Sequence, residues 1–179
     1  MSFPSSEFYI NRNTYLIREL SIYDEQKIQN LCERCLDYFE LVEGTHPEEC
    51  EGRNILYDLP PNKSLEDKFV FGVFDNMDRL VAVADIIKDY KAISEWIIGL
   101  MLIDPRERGL GLGRKVYDMI KEWISRSGGK AIRIGVVENN INGYNFWFSL
   151  GLREIQRVEM KFKLKEHIVI IMNTNLEKC

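Results

Sequence analysis

Arg108-Gly109-Leu110-Gly111-Leu112-Gly113 follows an apolar run, Trp96 to Ile103, and leads into a segment where Leu112, Val116, Met119, Ile120, Trp123 and Ile124 share one helical face. A near-continuous apolar run of this length fits a central strand covered on both faces. Strand, glycine turn and amphipathic helix in succession point to an α/β domain. Such a turn presents unpaired backbone N–H groups at a helix N-terminus, where those donors and the helix dipole favour phosphate oxygens. Glycine allows close approach and positive φ, and Arg108 and Arg114 add positive charge.

Upstream, Tyr15 to Leu20 reads as a first strand, with residues 1–12 a tail or a loosely held strand. Ser21 caps a helix whose apolar positions are Ile28, Leu31, Cys32, Cys35, Leu36 and Phe39. A short second helix runs from near His46-Pro47 and is closed by Pro60-Pro61. Phe69–Phe74 and Leu80–Ile87, separated by Asp75-Asn76-Met77-Asp78, form an antiparallel hairpin. Downstream, Gly128-Gly129 stops the long helix, Ile132 to Val137 is a strand, and Ile141 to Leu150 is a helix ended by Gly151. Two last strands span Leu152–Leu164 and His167–Ile171, and there is no internal repeat or low-complexity linker.

The 179 residues suit one domain able to bury its own core, and 45% hydrophobic with 29% charged residues is an ordinary globular balance. A formal net charge of -4 argues against nucleic acid as the main ligand. The longest apolar run is too short to span a bilayer, and the first residues lack the basic and apolar regions of an export signal. The expected compartment is therefore the cytoplasm, with Cys32, Cys35, Cys50 and Cys179 as reduced thiols.

Three phosphate-binding patterns compete for the glycine turn, beside a plain tight strand-to-helix turn. A Walker loop requires Gly-Lys-Ser/Thr, but Arg114-Lys115-Val116 follows Gly113. A dinucleotide fingerprint requires G-x-G-x-x-G, whereas the spacing here is G-x-G-x-G and lies past mid-chain. The third pattern, Arg/Gln-x-x-Gly-x-Gly/Ala, is matched by Arg108, Gly111 and Gly113. Leu102-Ile103-Asp104-Pro105 precedes it, and Val137-Glu138-Asn139-Asn140 with Phe146-Trp147-Phe148-Ser149-Leu150-Gly151-Leu152 follows.

With these three segments in this order, the chain resembles the GNAT superfamily of N-acetyltransferases from roughly residue 13 to the end. The resemblance implies one domain over residues 13–179, with a mixed sheet of roughly six to seven strands, about four helices, and splayed fourth and fifth strands. It implies acetyl-CoA as co-substrate, its pyrophosphate held by Arg108, Gly109, Leu110, Gly111, Leu112, Gly113 and Arg114. The pantetheine arm would pair with the fourth strand as an added strand, and the N–H of Leu102 or Ile103 would polarise the thioester carbonyl. Asn140 takes the position of a pantetheine contact or of a helix cap. The implied reaction is direct acetyl transfer to a primary amine, most readily a small molecule; a protein N-terminus is the alternative acceptor. A non-catalytic acyl-CoA-binding module is the alternative from another class. No nucleic-acid or membrane partner is expected, and a late exposed strand offers a route to a homodimer.

The chain departs from the family where many relatives place an acidic tyrosine: the residue there is Trp147. An indole N–H cannot usefully give up a proton, so Trp147 remains a donor-side contact. A thiol of pKa near 8.5 still leaves tolerably without protonation. Tyr144, one turn earlier, is the substitute acid or a packing residue. Glu95 and Asp85 are the candidate bases acting through water, with Glu138 weaker. Around the expected acceptor site Glu40, Glu43, Glu48, Glu49, Glu51 and Asp58 mix with Tyr38, Phe39 and Tyr57, which suits a cationic amine or a solvated helix face. Cys32, Cys35, His46 and Cys50 can be drawn as zinc ligands, but the first two occupy an apolar helix face, and no metal is expected.

Overall fold

The computed structural model describes residues 3–176. One eight-stranded sheet has the order β1-β2-β3-β4-β5-β6-β8-β7. The strands are β1 (Ser6–Ile10), β2 (Asn13–Glu19), β3 (Lys68–Phe74), β4 (Leu80–Ile87), β5 (Glu95–Ile103), β6 (Ala131–Val137), β7 (Arg153–Lys161) and β8 (Glu166–Asn175). Every neighbouring pair is antiparallel except β5 and β6, which are parallel. That pair is joined by helix α4 (Leu112–Arg126), as a parallel connection requires.

The sheet is mixed and the domain single, as expected, but there are eight strands rather than six or seven. The extra strand is β1, held by its ladder to β2 and by buried Phe8, which stacks on Tyr15 at 5.5 Å. There are also five helices rather than about four. The run after Ser21 divides at Cys35 (φ -94, ψ 32) into α1 (Glu25–Arg34) and α2 (Leu36–Val42). Helices α3 (Glu51–Tyr57) and α5 (Ile141–Ser149) complete the set.

Strand alternation sorts the core into two faces. On one, Phe71, Val73, Ala82, Ala84, Ile86, Trp96 and Ile98 pack against Val116, Ile120 and Trp123 of α4. Trp123 is the hub, edge-on to Phe69, Phe71 and Trp96 at 5.0, 4.9 and 5.2 Å. On the other, Val70, Val83 and Leu102 pack against Ile28, Leu31, Cys32 and Phe39 of α1 and α2.

Two irregularities open the middle of the sheet. Asp85 pairs with Leu100 while the next residue, Ile86, pairs with Ile98, so Gly99 is bulged out. A bulge bends its strand and increases the local twist. Beyond Ile97, paired with Arg133, β5 and β6 share no ladder, although β6 continues to Val137 against β8. The expected splay is therefore between β5 and β6. No helix among the described residues is long and apolar enough to cross a membrane.

Candidate active site

The glycine turn begins the site. Gly111 is the N-cap of α4 at φ +92, and Gly109 lies at φ +76, both in the left-handed region that side chains resist. A Cβ on either would meet nothing within 4 Å, so the outer side of the turn is open space. Gly113 faces inward instead, where a Cβ would stand 3.1 Å from the Phe146 ring of α5. Leu112 is buried at 1% exposure and anchors the turn, while Leu110 is exposed. Free N–H groups, open space and the end of a 15-residue helix fit a pyrophosphate.

Both flanking arginines are positioned by other elements. Arg108 donates from Nε to the Ile103 carbonyl at 2.9 Å and grips Asp37 of α2 with both guanidinium ends. The Arg108 hydrogen bonds hold the Asp37 carboxyl below its ordinary pKa. Arg114 reaches Ser149 at the end of α5, at 3.3 Å from its carbonyl and 3.2 Å from its hydroxyl.

A cavity of about 1070 Å³ runs from this turn into the gap between β5 and β6. Its wall includes Leu102 and Ile103 of β5, Gly135 of β6, and Asn140 and Trp147 of the α5 region. The backbone of β5 has a definite polarity here. Asp104 N–H bonds the Val81 carbonyl at 2.8 Å. Antiparallel alternation then turns the N–H of Leu102 toward β4 and those of Met101 and Ile103 toward the gap. Of the two donors expected from sequence, Ile103 has the gap-facing N–H, and Met101 is a second that sequence reading missed. The Asn140 side chain accepts from Gly143 N–H at 2.9 Å as the α5 cap, and the residue also lines the cavity.

The residues proposed for proton transfer are placed differently. Trp147 is buried, lines the cavity and meets Tyr117 edge-on at 5.9 Å. Tyr144 stacks on Phe148 at 6.1 Å, packs partly against the core and does not line the cavity. Asp85 is bound by the buried Lys68 ammonium at 2.7 Å; burial raises its pKa, against the pull of that lysine. Glu95 faces Arg133 at 3.5 Å, and Glu138 pairs with Arg157. None of Asp85, Glu95 and Glu138 is a cavity-lining residue.

A model of the Acetyltransferase (GNAT) family matches residues 28–152. The chain belongs to the GNAT acetyltransferase family. It is an N-acetyltransferase by that membership, and the match contains the glycine turn, the splayed strands and the Asn140–Leu152 segment. No curated protein sequence matches it significantly. Among solved structures, the ribosomal-protein-S18-alanine N-acetyltransferase of Escherichia coli is 16% identical, covering 92% of this chain and 96% of its own at a TM-score of 0.69. Spermidine N-acetyltransferase from Vibrio cholerae, in complex with CoA and spermine, is 18% identical, with 90% and 95% covered and a TM-score of 0.69. The GNAT domain of S. lividans PAT is 11% identical, with 96% and 97% covered and a TM-score of 0.74. At these identities the likeness is one of fold.

In this GNAT domain the acidic segment, expected from sequence near an acceptor site, does something other than face the cavity. Lys163, in the β7–β8 turn, is held by Glu43 at 2.7 Å, Glu51 at 3.2 Å and Glu48 at 3.4 Å. Burial opposes the lysine charge, but Glu43 and Glu51 prevail and raise its pKa. Lys165 caps α2 at the Glu40 and Leu41 carbonyls, and His167 bonds the Val42 carbonyl at 2.9 Å. The acids thus fasten the β7–β8 turn to the α2–α3 segment. None of Glu40, Glu43, Glu48, Glu49, Glu51 and Asp58 lines the cavity. Cys32 and Cys35 are buried in the core, where burial raises both thiol pKa values, Cys35 to about 11. His46 and Cys50 are exposed, and no metal-binding cluster of these residue types forms among the described residues. Cys179 lies outside the described residues.

Proposed function

We propose that this chain is an acetyl-CoA-dependent N-acetyltransferase that passes acetyl directly to a primary amine of a small molecule. The observation that carries the reading is that the glycine turn and the unpaired edge of β5 open into one cavity. Acetyl-CoA, when bound, supplies an activated acetyl thioester and a thiol leaving group.

The chain's own groups then divide the work. Gly109 to Gly113 and the α4 N-terminus hold the pyrophosphate, with Arg108 and Arg114 adding charge. The N–H groups of Ile103 and Met101 pair with the pantetheine arm and the thioester oxygen, so the carbonyl is polarised by fixed dipoles. Asn140 offers its amide nitrogen to the same arm while its oxygen caps α5. Trp147 seals the wall and keeps water away from the thioester.

Asp85 on β4 and Glu95 at the start of β5 stand outside the cavity lining and can take the ammonium proton only through water. The Lys68 pair fixes Asp85 in place, and its raised pKa brings it closer to the working range of a base. Among the described residues no cysteine lines the cavity, which supports direct transfer over an acyl-enzyme. A thiol-release assay with a set of primary amines tests the reading. The expected result is amine-dependent release of CoA; CoA binding without release on any amine would support a binding module instead.

A further inference from the structure

Carried two residues past its last ladder pair, Ile97 with Arg133, the parallel register of β5 and β6 sets Gly99 opposite Gly135. Both glycines are exposed and line the cavity, although each belongs to an interior strand of the sheet. Residues opposite one another across strands share a face. A Cβ on Gly99 would stand 3.9 Å from Asp85 Oδ2 of β4. A Cβ on Gly135 would stand 3.0 Å from Val169 and 3.7 Å from Ile171 of β8. The two glycines therefore leave a notch in the sheet, with a carboxylate on one side and branched hydrocarbon on the other.

The hydrocarbon side continues away from the notch. Val137, two residues beyond Gly135, pairs with Val169, which pairs in turn with Val158 of β7. With Ile171, Val42 of α2 and Phe162 they form one apolar cluster, and all six line the cavity. This wall follows β6 toward the wide end of the gap, where the glycine turn lies. In the other direction the chemistry changes. Arg133, two residues before Gly135, is already paired with Glu95 at 3.5 Å, and Lys91 lines the cavity there too. A second ammonium on a ligand in the notch would meet hydrocarbon one way and cations the other.

We propose that the acceptor is an apolar monoamine, an alkylamine or arylalkylamine carrying no carboxylate and no second cation. Its ammonium occupies the Gly99–Gly135 notch, where one water links it to Asp85, and its hydrocarbon body lies along Val137, Val169 and Val158. This rests on the acetyltransferase reading above. In the transfer the acetyl carbon–sulfur bond breaks and a carbon–nitrogen bond forms. The ammonium gives up two protons, one passing through water and Asp85 to solvent and one ending on the thiol.

The test measures thiol release at saturating acetyl-CoA across unbranched amines from ethylamine to hexylamine, with phenethylamine, phenylalanine, spermidine and a leucine-initiated tripeptide. The value of kcat/KM should rise about fourfold per added methylene, the worth of one buried CH₂. Phenethylamine should exceed phenylalanine by about tenfold or more, as expected where a buried carboxylate gains no free partner. Val158→Asn, on the exposed strand β7, should flatten the series. Gly99→Ala should lower kcat/KM for the best amine about tenfold or more by filling the notch. The backbone at Gly99 lies outside the left-handed region, and beyond its chain neighbours a Cβ there meets only Asp85 within 4 Å, so the strand accepts the methyl. Calorimetric CoA affinity, expected to be unchanged, reports that both variants remain folded. A flat series in the wild type overturns the assignment, as does preference for spermidine, phenylalanine or the tripeptide, or a wild-type amine profile in Gly99→Ala. CoA binding with no turnover on any amine instead overturns the underlying enzyme reading.

Discussion

Arg108, the first residue of the glycine turn, is clamped by both carboxylate oxygens of Asp37 at the start of α2, 71 residues earlier. The same guanidinium bonds the last carbonyl of β5. One side chain thus joins the glycine turn, the end of β5 and the start of α2.

Replacing Arg108 should therefore do more than remove a charge. Arg108→Lys cannot reproduce the bidentate clamp, and we expect CoA affinity to fall about ten- to a hundredfold, the range for losing a charged hydrogen bond. Asp37→Asn keeps the shape but weakens the clamp and should cost less. Isothermal calorimetry with CoA measures both; equal affinities for the wild type and Arg108→Lys would contradict this role.

Gly111→Ala tests the cradle itself. The left-handed backbone at φ +92 penalises a Cβ by about 1–2 kcal/mol. The added methyl also enters the space assigned to phosphate. We expect a modest fall in melting temperature with a large rise in the KM for acetyl-CoA and little change in the KM for the amine.

The proton-transfer residues separate cleanly by substitution. Tyr144 packs on Phe148 away from the cavity, so Tyr144→Phe should keep kcat within about threefold, against the 10²- to 10⁴-fold loss expected for a true general acid. Trp147→Phe preserves packing and should likewise leave the pH dependence of kcat unchanged. A new ionisation in either profile would assign an acid role to that residue.

Acid stability provides a check on the fold around α1. Arg18 donates to Asp24 at 2.6 and 2.9 Å and holds that carboxyl below its usual 3.8. The unfolded chain then binds the proton at higher pH than the folded one. The stabilisation is present above the ordinary value and is lost as pH falls through it toward the lowered folded value. Asp24→Asn should flatten this part of a stability-versus-pH curve measured by urea unfolding.

Much of this was legible in the sequence because the signals were local. The glycine turn, the helical period from Leu112 to Ile124 and the β3–β4 hairpin each carry their own pattern. β1 was hard to read because five residues supply too little period; its reality depends on Phe8 meeting Tyr15 across the ladder. The break at Cys35 has no glycine or proline to announce it. Within the site, the choice between Met101, Leu102 and Ile103 follows from register with β4, a long-range property. The acidic segment was misleading for the same reason: Lys163 lies 112 residues from Glu51, and only the folded β7–β8 turn brings them together.

The central claim is that the glycine turn and the β5 edge serve one acetyl transfer. The most direct measurement is initial rate of thiol release with acetyl-CoA and amine varied together, with the acetylated amine identified by mass spectrometry. The account predicts one thiol per acetylated amine, intersecting rate patterns characteristic of a ternary complex, and no acetyl group left on the protein. Parallel rate patterns with an acetylated side chain, or CoA binding with no acetylated amine at all, would contradict it.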